Sequence, residues 1–146
     1  MKSQLGEFKV RFLHSISAED DLVISEIDEG FRAKQAESID VGGVMIEGVY
    51  RLETRSDGRR IRLTFKMPVA WQVVSESFCS GDAYEKAEGK DGLVEYSQSR
   101  YLDYVNLRHG LYKDLRGACK HYQVGTGDSI IDIVSSVPPV FEMVLK

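Results

Sequence analysis

The stretch "VYRLETRSDGRRIRLTFK", Val49–Lys66, alternates apolar and polar residues on both sides of an Asp57-Gly58 pair. Asp-Gly is a strong signal for a two-residue hairpin turn, because both positions then need positive φ. With that pair as pivot, Thr54 falls opposite Ile61, Leu52 opposite Leu63 and Tyr50 opposite Phe65, all on one face. Arg55 then meets Arg60, Glu53 meets Arg62 and Arg51 meets Thr64 on the other face. A slip of one residue would scramble both faces. The pattern predicts a hairpin, and with it a sheet-dominated fold.

The flanking segments extend this reading. In "SIDVGGVMIEG", apolar residues change parity across Gly42-Gly43, which predicts a bulge or bend in one continuing strand. "EFKVRFLHSI" alternates as a half-buried strand, with Phe8, Val10, Phe12, His14 and Ile16 on one face, broken by Leu13. "SAEDDLVISEIDEGFRAKQAES" offers two readings. Ser17 with Asp20 fits a capping box and Gly30 a helix end. The β-branched Val23, Ile24 and Ile27, with "DEG" as a turn, favour two strands, and the balance leans that way.

"VAWQVV" reads as a strand begun by Pro68, with Val69, Trp71 and Val73 on one side. "SGDAYEKAEGKDG" reads as a loop with one helical turn over 83–88. "SRYLDYVNLRHG" is the helix, capped by Ser99 and ended by Gly110. "KHYQV" and "SIIDIVS" are strands around "GTGD", and "PPVFEMVLK" is a last strand behind a rigid corner. Strands joined by short turns predict an α+β fold. It is a mainly antiparallel, strongly bent sheet, at its extreme a partial barrel, with one principal helix near 99–109.

The chain has 146 residues, 42% hydrophobic and 29% charged, which fits one soluble globular domain over 1–146. No linker or repeat divides it. The N-terminal "MKSQLGEFKV" lacks the apolar core of a signal peptide, and only Cys79 and Cys119 are present, so free thiols and a cytoplasmic location are expected. No run is long enough to span a membrane. A net charge of -4 disfavours a DNA partner, which needs surplus Lys and Arg against phosphate.

Candidate chemistry centres on the 120–136 hairpin. If Thr126-Gly127 form the turn, His121 faces Asp132, a pair able to hold a general base in one tautomer. If Gly125 leads a type II′ turn, His121 faces Ile130 and the pair dissolves. The ordinary reading, an ion pair on a solvated sheet face, carries more weight. "GTGDS" lacks the Gly-Lys-Ser/Thr end of a phosphate loop, so its glycines are read as turn residues. The three histidines, His14, His109 and His121, show no metal spacing, and no cofactor is expected.

Charge is unevenly spread. Residues 17–47 hold nine acids and two bases, whereas 51–66 hold six bases and two acids. This predicts an acidic end marked by Asp20 and Asp21 and a basic hairpin face carrying Arg51, Arg55, Arg60 and Arg62, either able to orient a partner. The leading expectation is therefore a small protein-interaction domain. By composition it compares with an immunity- or antitoxin-type inhibitor. The alternative is a small-molecule binder whose pocket gathers Trp71, Tyr122, other tyrosines and His14. An enzyme using His121 and Asp132 ranks third, and RNA contact through the arginines last.

Overall fold

The computed structural model describes residues 4–89 and 92–146. Its architecture is mainly antiparallel sheet with one main helix, and the sheets bend without closing into a barrel. The strands fall into two five-stranded sheets and a separate two-stranded hairpin.

The first sheet is built on β1, Val10–Glu19, and β2, Leu22–Arg32, which fold back on each other at Asp20-Asp21. Asp20 takes φ 51, a left-handed turn conformation that Asp tolerates better than most residues. Segment 18–30 is thus strand, and "DEG" lies inside β2 rather than at a turn. A register shift between Leu13 and Ser15 isolates His14 as a bulge. Leu13 and Ile16 then both reach the core, so the bulge accounts for the broken alternation of that segment.

The Asp57-Gly58 hairpin does not form. Strands β5, Leu52–Thr54, and β6, Arg60–Lys66, both pair with β2, Thr54 with Gly30 and Arg60 with Asp28. They run in the same direction along one edge of β2. Residues 55–58 bulge out between them in a turn closed by Gly58 N–H donating to Arg55 O at 3.0 Å. The face assignment within β6 nevertheless holds, with Ile61, Leu63 and Phe65 fully buried, while Leu52 stays 48% exposed. β12, Val140–Val144, completes the sheet beside β6.

The two-residue hairpin turn sits instead at Gly42-Gly43, with φ of 61 and 87 joining β3, Glu37–Val41, to β4, Val44–Val49. The parity change across the glycines reflects a reversal of the chain, not a bulge in one strand. Gly43 N–H is fixed by Asp40 Oδ1 at 2.7 Å. Neither strand pairs with the two large sheets.

The second sheet runs in the order β7 (Ala70–Ser75), β11 (Ser129–Ser135), β10 (Lys120–Gly125), β9 (Leu93–Gln98), β8 (Lys86–Glu88). Strand β8 replaces the helical turn expected over 83–88. The chain changes sheets at Met67-Pro68 and again at 136–139. The two crossings are tied by Val69 N–H to Val134 O at 2.8 Å and by Ser135 Oγ donating to Lys66 O at 3.3 Å.

Between the sheets lies the main core, where Ile27, Ile61, Leu63 and Phe65 meet Tyr122, Val124, Ile131 and Ile133. The opposite face of the second sheet is covered by α1, Arg100–His109, which continues through Gly110 and Leu111 into α2, Tyr112–Arg116. Leu102, Val105 and Tyr112 pack there against Val134 and Cys119. No helix among the described residues is long and apolar enough to cross a membrane.

Candidate functional site

Residues alternate across β10 and β11. Tyr122, Val124, Ile131 and Ile133 turn toward the core, so His121, Gln123 and Asp132 must turn toward the helical layer. Neither expected register is present. The turn is Thr126–Ser129, with Thr126 N–H donating to Ser129 O at 2.9 Å, and it pairs His121 with Val134 and Gln123 with Asp132. His121 and Asp132 nevertheless meet on the diagonal, His121 Nε2 to Asp132 Oδ1 at 2.7 Å.

Two amides complete the carboxylate's surroundings. Gln72 of β7 donates to Oδ2 and Gln123 to Oδ1, each at 3.0 Å, and Tyr96 Oη donates to Gln123 Oε1 at 3.1 Å. Burial alone would raise the Asp132 pKa, but the bonds from His121, Gln72 and Gln123 outweigh it and hold the carboxyl below its ordinary range. The His121 ring is clamped between Tyr96, stacked at 4.6 Å, and Tyr101, edge-on at 5.2 Å. Burial lifts the Tyr101 phenol to about 12, so it stays protonated.

On its other side, His121 Nδ1 lies 2.8 Å from Ser99 Oγ, and Ser99 Oγ accepts the Leu102 N–H at 3.0 Å. With the imidazole proton on Nε2, the whole series is satisfied. His121 donates to Asp132, Ser99 donates to His121 and Leu102 donates to Ser99. Ser, His and Asp in sequence invite comparison with a nucleophilic triad. However, the Ser99 residue is 0% exposed and its oxygen is occupied as the cap of α1. His121 is 2% exposed with both ring nitrogens engaged. The arrangement pins the helix N-terminus to the sheet and offers no hydroxyl to a substrate.

Beside this hydrogen-bonded series, the same sheet face opens into a polar cleft of about 460 Å³ with Gln72, Tyr96, Gln123 and Asp132 in its floor. Its rim is the 79–85 segment, where Asp82 pairs with Arg100 at 2.9 Å, an interaction that holds the Asp82 carboxyl low. Cys79 is an exposed free thiol there, whereas Cys119 is a buried one whose pKa burial pushes up.

The other sequence candidates are dispersed. Tyr122 is buried between the sheets beside Phe65, on the face opposite His121. Trp71 is 39% exposed on edge strand β7. His14 lies on the outer face of the first sheet, 3.9 Å from Asp28. Among the described residues, Trp71, Tyr122 and His14 therefore share no common site. Asp20 and Asp21 are exposed at the β1–β2 turn.

Part of the acidic block meets part of the basic one, because β2 lies directly against β6. Arg60 clasps Asp28 with two bonds of 2.6 and 3.0 Å, and Arg62 approaches Glu26 at 3.5 Å. Arg51 pairs with Glu37 at 3.1 Å, and Arg55 with Glu53 at 3.4 Å while lying over the Phe31 ring. The backbone of "GTGD" is also engaged, with Gly127 N–H donating to Arg11 O and Gly125 N–H to Gly92 O. These amides are not free for an anion.

The surface feature that the sequence reading missed is on the helical layer. Leu107, Leu111 and Leu115 are 84%, 82% and 84% exposed, and Tyr104 is 55% exposed. Leucine recurring every fourth residue on a helical segment was the available signal. No protein-family model matches the chain, and no curated protein or solved structure matches it either.

Proposed function

We propose that this chain is a protein-interaction domain and that its partner docks on the Tyr104, Leu107, Leu111 and Leu115 ridge. The observation that carries the reading is the ridge itself, three leucines more than four-fifths exposed and spaced four residues apart through α1, the Gly110-Leu111 turn and α2. Scattered surface leucines are ordinary, but a contiguous apolar strip is a recurring mark of an interface. Burying one leucine side chain contributes about 1.5–3 kcal/mol, so a partner covering the ridge gains several kcal/mol before ordering costs. The two free cysteines support a reducing compartment such as the cytoplasm.

Cross-linked capture from native cells tests this. Leu111→Lys is expected to remove the captured partner while Trp71→Ala retains it. Equal capture by both variants would contradict the reading.

A second reading, small-molecule binding, is supported by the cleft over Asp132. It expects a thermal shift in a metabolite screen, because ligand at about 100 times its dissociation constant adds about 2.7 kcal/mol. A blank screen would count against it.

A further inference from the structure

We infer that the cleft over Asp132 takes a small organic cation, an aliphatic amine or guanidine whose N–H groups meet the Asp132 and Glu85 carboxylates. This rests on the small-molecule reading above, independently of the ridge, and names the class of ligand.

Asp28 and Asp132 are equally buried, each 6% exposed, but they are met differently. Asp28 holds Arg60 by two bonds and has Lys146 Nζ at 3.8 Å. Asp132 meets the His121 imidazole and the Gln72 and Gln123 amides, all neutral donors when the His121 proton sits on Nε2. Neutral dipoles can hold a buried charge in place, but only a cation cancels it. The carboxyl is held below its ordinary range, so it is ionised at neutral pH. Its oxygens are also unequally filled. Oδ1 accepts from His121 and Gln123, whereas Oδ2 accepts from Gln72 alone among the described residues. A carboxylate oxygen has two acceptor positions, so Oδ2 keeps one for a further donor. An ammonium or guanidinium group in the cleft would supply at Asp132 what Arg60 supplies at Asp28.

The rest of the lining suits the same class. A volume of about 460 Å³ is that of a small-molecule site. Among the described residues the charged side chains lining it are Asp82, Glu85 and Asp132, with no Lys, Arg or His. Asp82 is already neutralised, because Arg100 bonds it at 2.9 Å while lying over the Tyr84 ring at 4.0 Å. Glu85 accepts the Arg100 backbone N–H at 3.3 Å and forms no ion pair among the described residues. One uncancelled carboxylate thus stands on the rim and one on the floor. A concave site focuses such a field, which draws in cations and repels anions. Val74, Ala87 and Ile130 add apolar lining for a short aliphatic body. The described His, Cys, Asp and Glu side chains form no group of three able to hold a metal ion, so the cation indicated is an organic one.

NMR titration of the Gln72 and Gln123 side-chain amides tests the inference, because both line the cleft floor. Putrescine and agmatine are expected to shift these signals saturably, with dissociation constants of about 1 mM or tighter at low ionic strength. A neutral and an anionic counterpart, 1,4-butanediol and succinate, should bind at least about tenfold more weakly. Asp132→Asn should weaken putrescine binding at least about tenfold and Glu85→Gln at least about threefold. Glu85 is only half-buried on the rim, so Glu85→Gln keeps the fold and decides the matter if Asp132→Asn unfolds. No shift with either cation at about 10 mM would overturn the inference. So would equal binding of 1,4-butanediol, or putrescine binding that Glu85→Gln leaves unchanged. Shifts with succinate or 1,4-butanediol but not with the cations would overturn the cationic class and leave the small-molecule reading standing. Silence from all four probes would overturn it too, and the broader thermal-shift screen would then decide the small-molecule reading alone.

Discussion

His121 and Asp132 are two residues out of register across the β10–β11 ladder, yet His121 Nε2 lies 2.7 Å from Asp132 Oδ1. A diagonal of this kind is within reach of a long polar side chain. It makes one buried carboxylate the meeting point of β7, β10 and β11, and through Ser99 it holds the start of α1. The pair is an organiser of the helical layer, and the ridge on that layer is positioned by it.

Replacing His121 by alanine should therefore cost stability. The variant leaves Asp132 buried with only its two amide donors and removes the Ser99 contact. A loss of about 3 kcal/mol in urea unfolding is expected. An unchanged midpoint would mean the series bears no structural weight.

Stability should fall steeply in acid. The Asp132 and Asp28 carboxyls both sit below their ordinary value of 3.8 in the folded chain. For Asp28, burial works the other way and is outweighed by Arg60 and Lys146. The unfolded chain thus takes up protons first as pH drops. The stability these groups contribute is fully present above their unfolded values and is lost as pH falls through the lower folded ones. Unfolding midpoints followed from neutral pH to about pH 2.5 should show this slope, and Asp132→Asn should flatten it. A wild type and variant with parallel profiles would argue against the assignment.

Arg60 and Arg62, two residues apart on β6, should differ sharply. The Arg60 side chain is 15% exposed and grips Asp28, 8% exposed, with two bonds, whereas that of Arg62 is 39% exposed. Arg60→Ala should destabilise by about 2 kcal/mol because it strands a buried carboxylate. Arg62→Ala should cost less than about 1 kcal/mol. Thermal unfolding of both variants distinguishes this from a partner-binding role, in which both would fold normally and lose capture.

Gly43 holds φ 87 at the hairpin tip, where a side chain is strained even though nothing lies within 4 Å of its Cβ position. Gly43→Ala should loosen the hairpin while leaving global unfolding nearly unchanged, because the element lies outside both buried clusters. Amide exchange over 37–49 should accelerate in the variant. Unaltered exchange there would mean the turn does not set the hairpin.

Local signals in the sequence succeeded where one element determined the outcome. Ser99 marked the start of α1 because capping is decided within a turn of chain, whereas Gly110 ends α1 with a right-handed φ of -67 and leads straight on into α2. Ile61, Leu63 and Phe65 sorted to the core because alternation is intrinsic to a strand. Pairing was less legible. Asp57-Gly58 and Gly42-Gly43 are both good turn dipeptides, and only competition for the edge of β2 made the second a hairpin and the first an excursion. The acidic and basic blocks read as separate faces because sequence order hides that β2 lies against β6. The His121–Asp132 contact was anticipated in a register that does not occur, since a two-residue shift keeps side chains on the same face. The contribution of Ser99 to that site was hidden behind its role as a cap.

The most direct test of the central claim is methyl NMR on Leu107, Leu111 and Leu115 with a soluble paramagnetic agent, read in the isolated chain and again in lysate of its native cells. The account predicts strong broadening of all three methyl sets in the isolated chain and protection in the lysate, with no protection of Leu107 and Leu115 in Leu111→Lys. Broadening that is unchanged in the lysate, or protection that persists in Leu111→Lys, would contradict it.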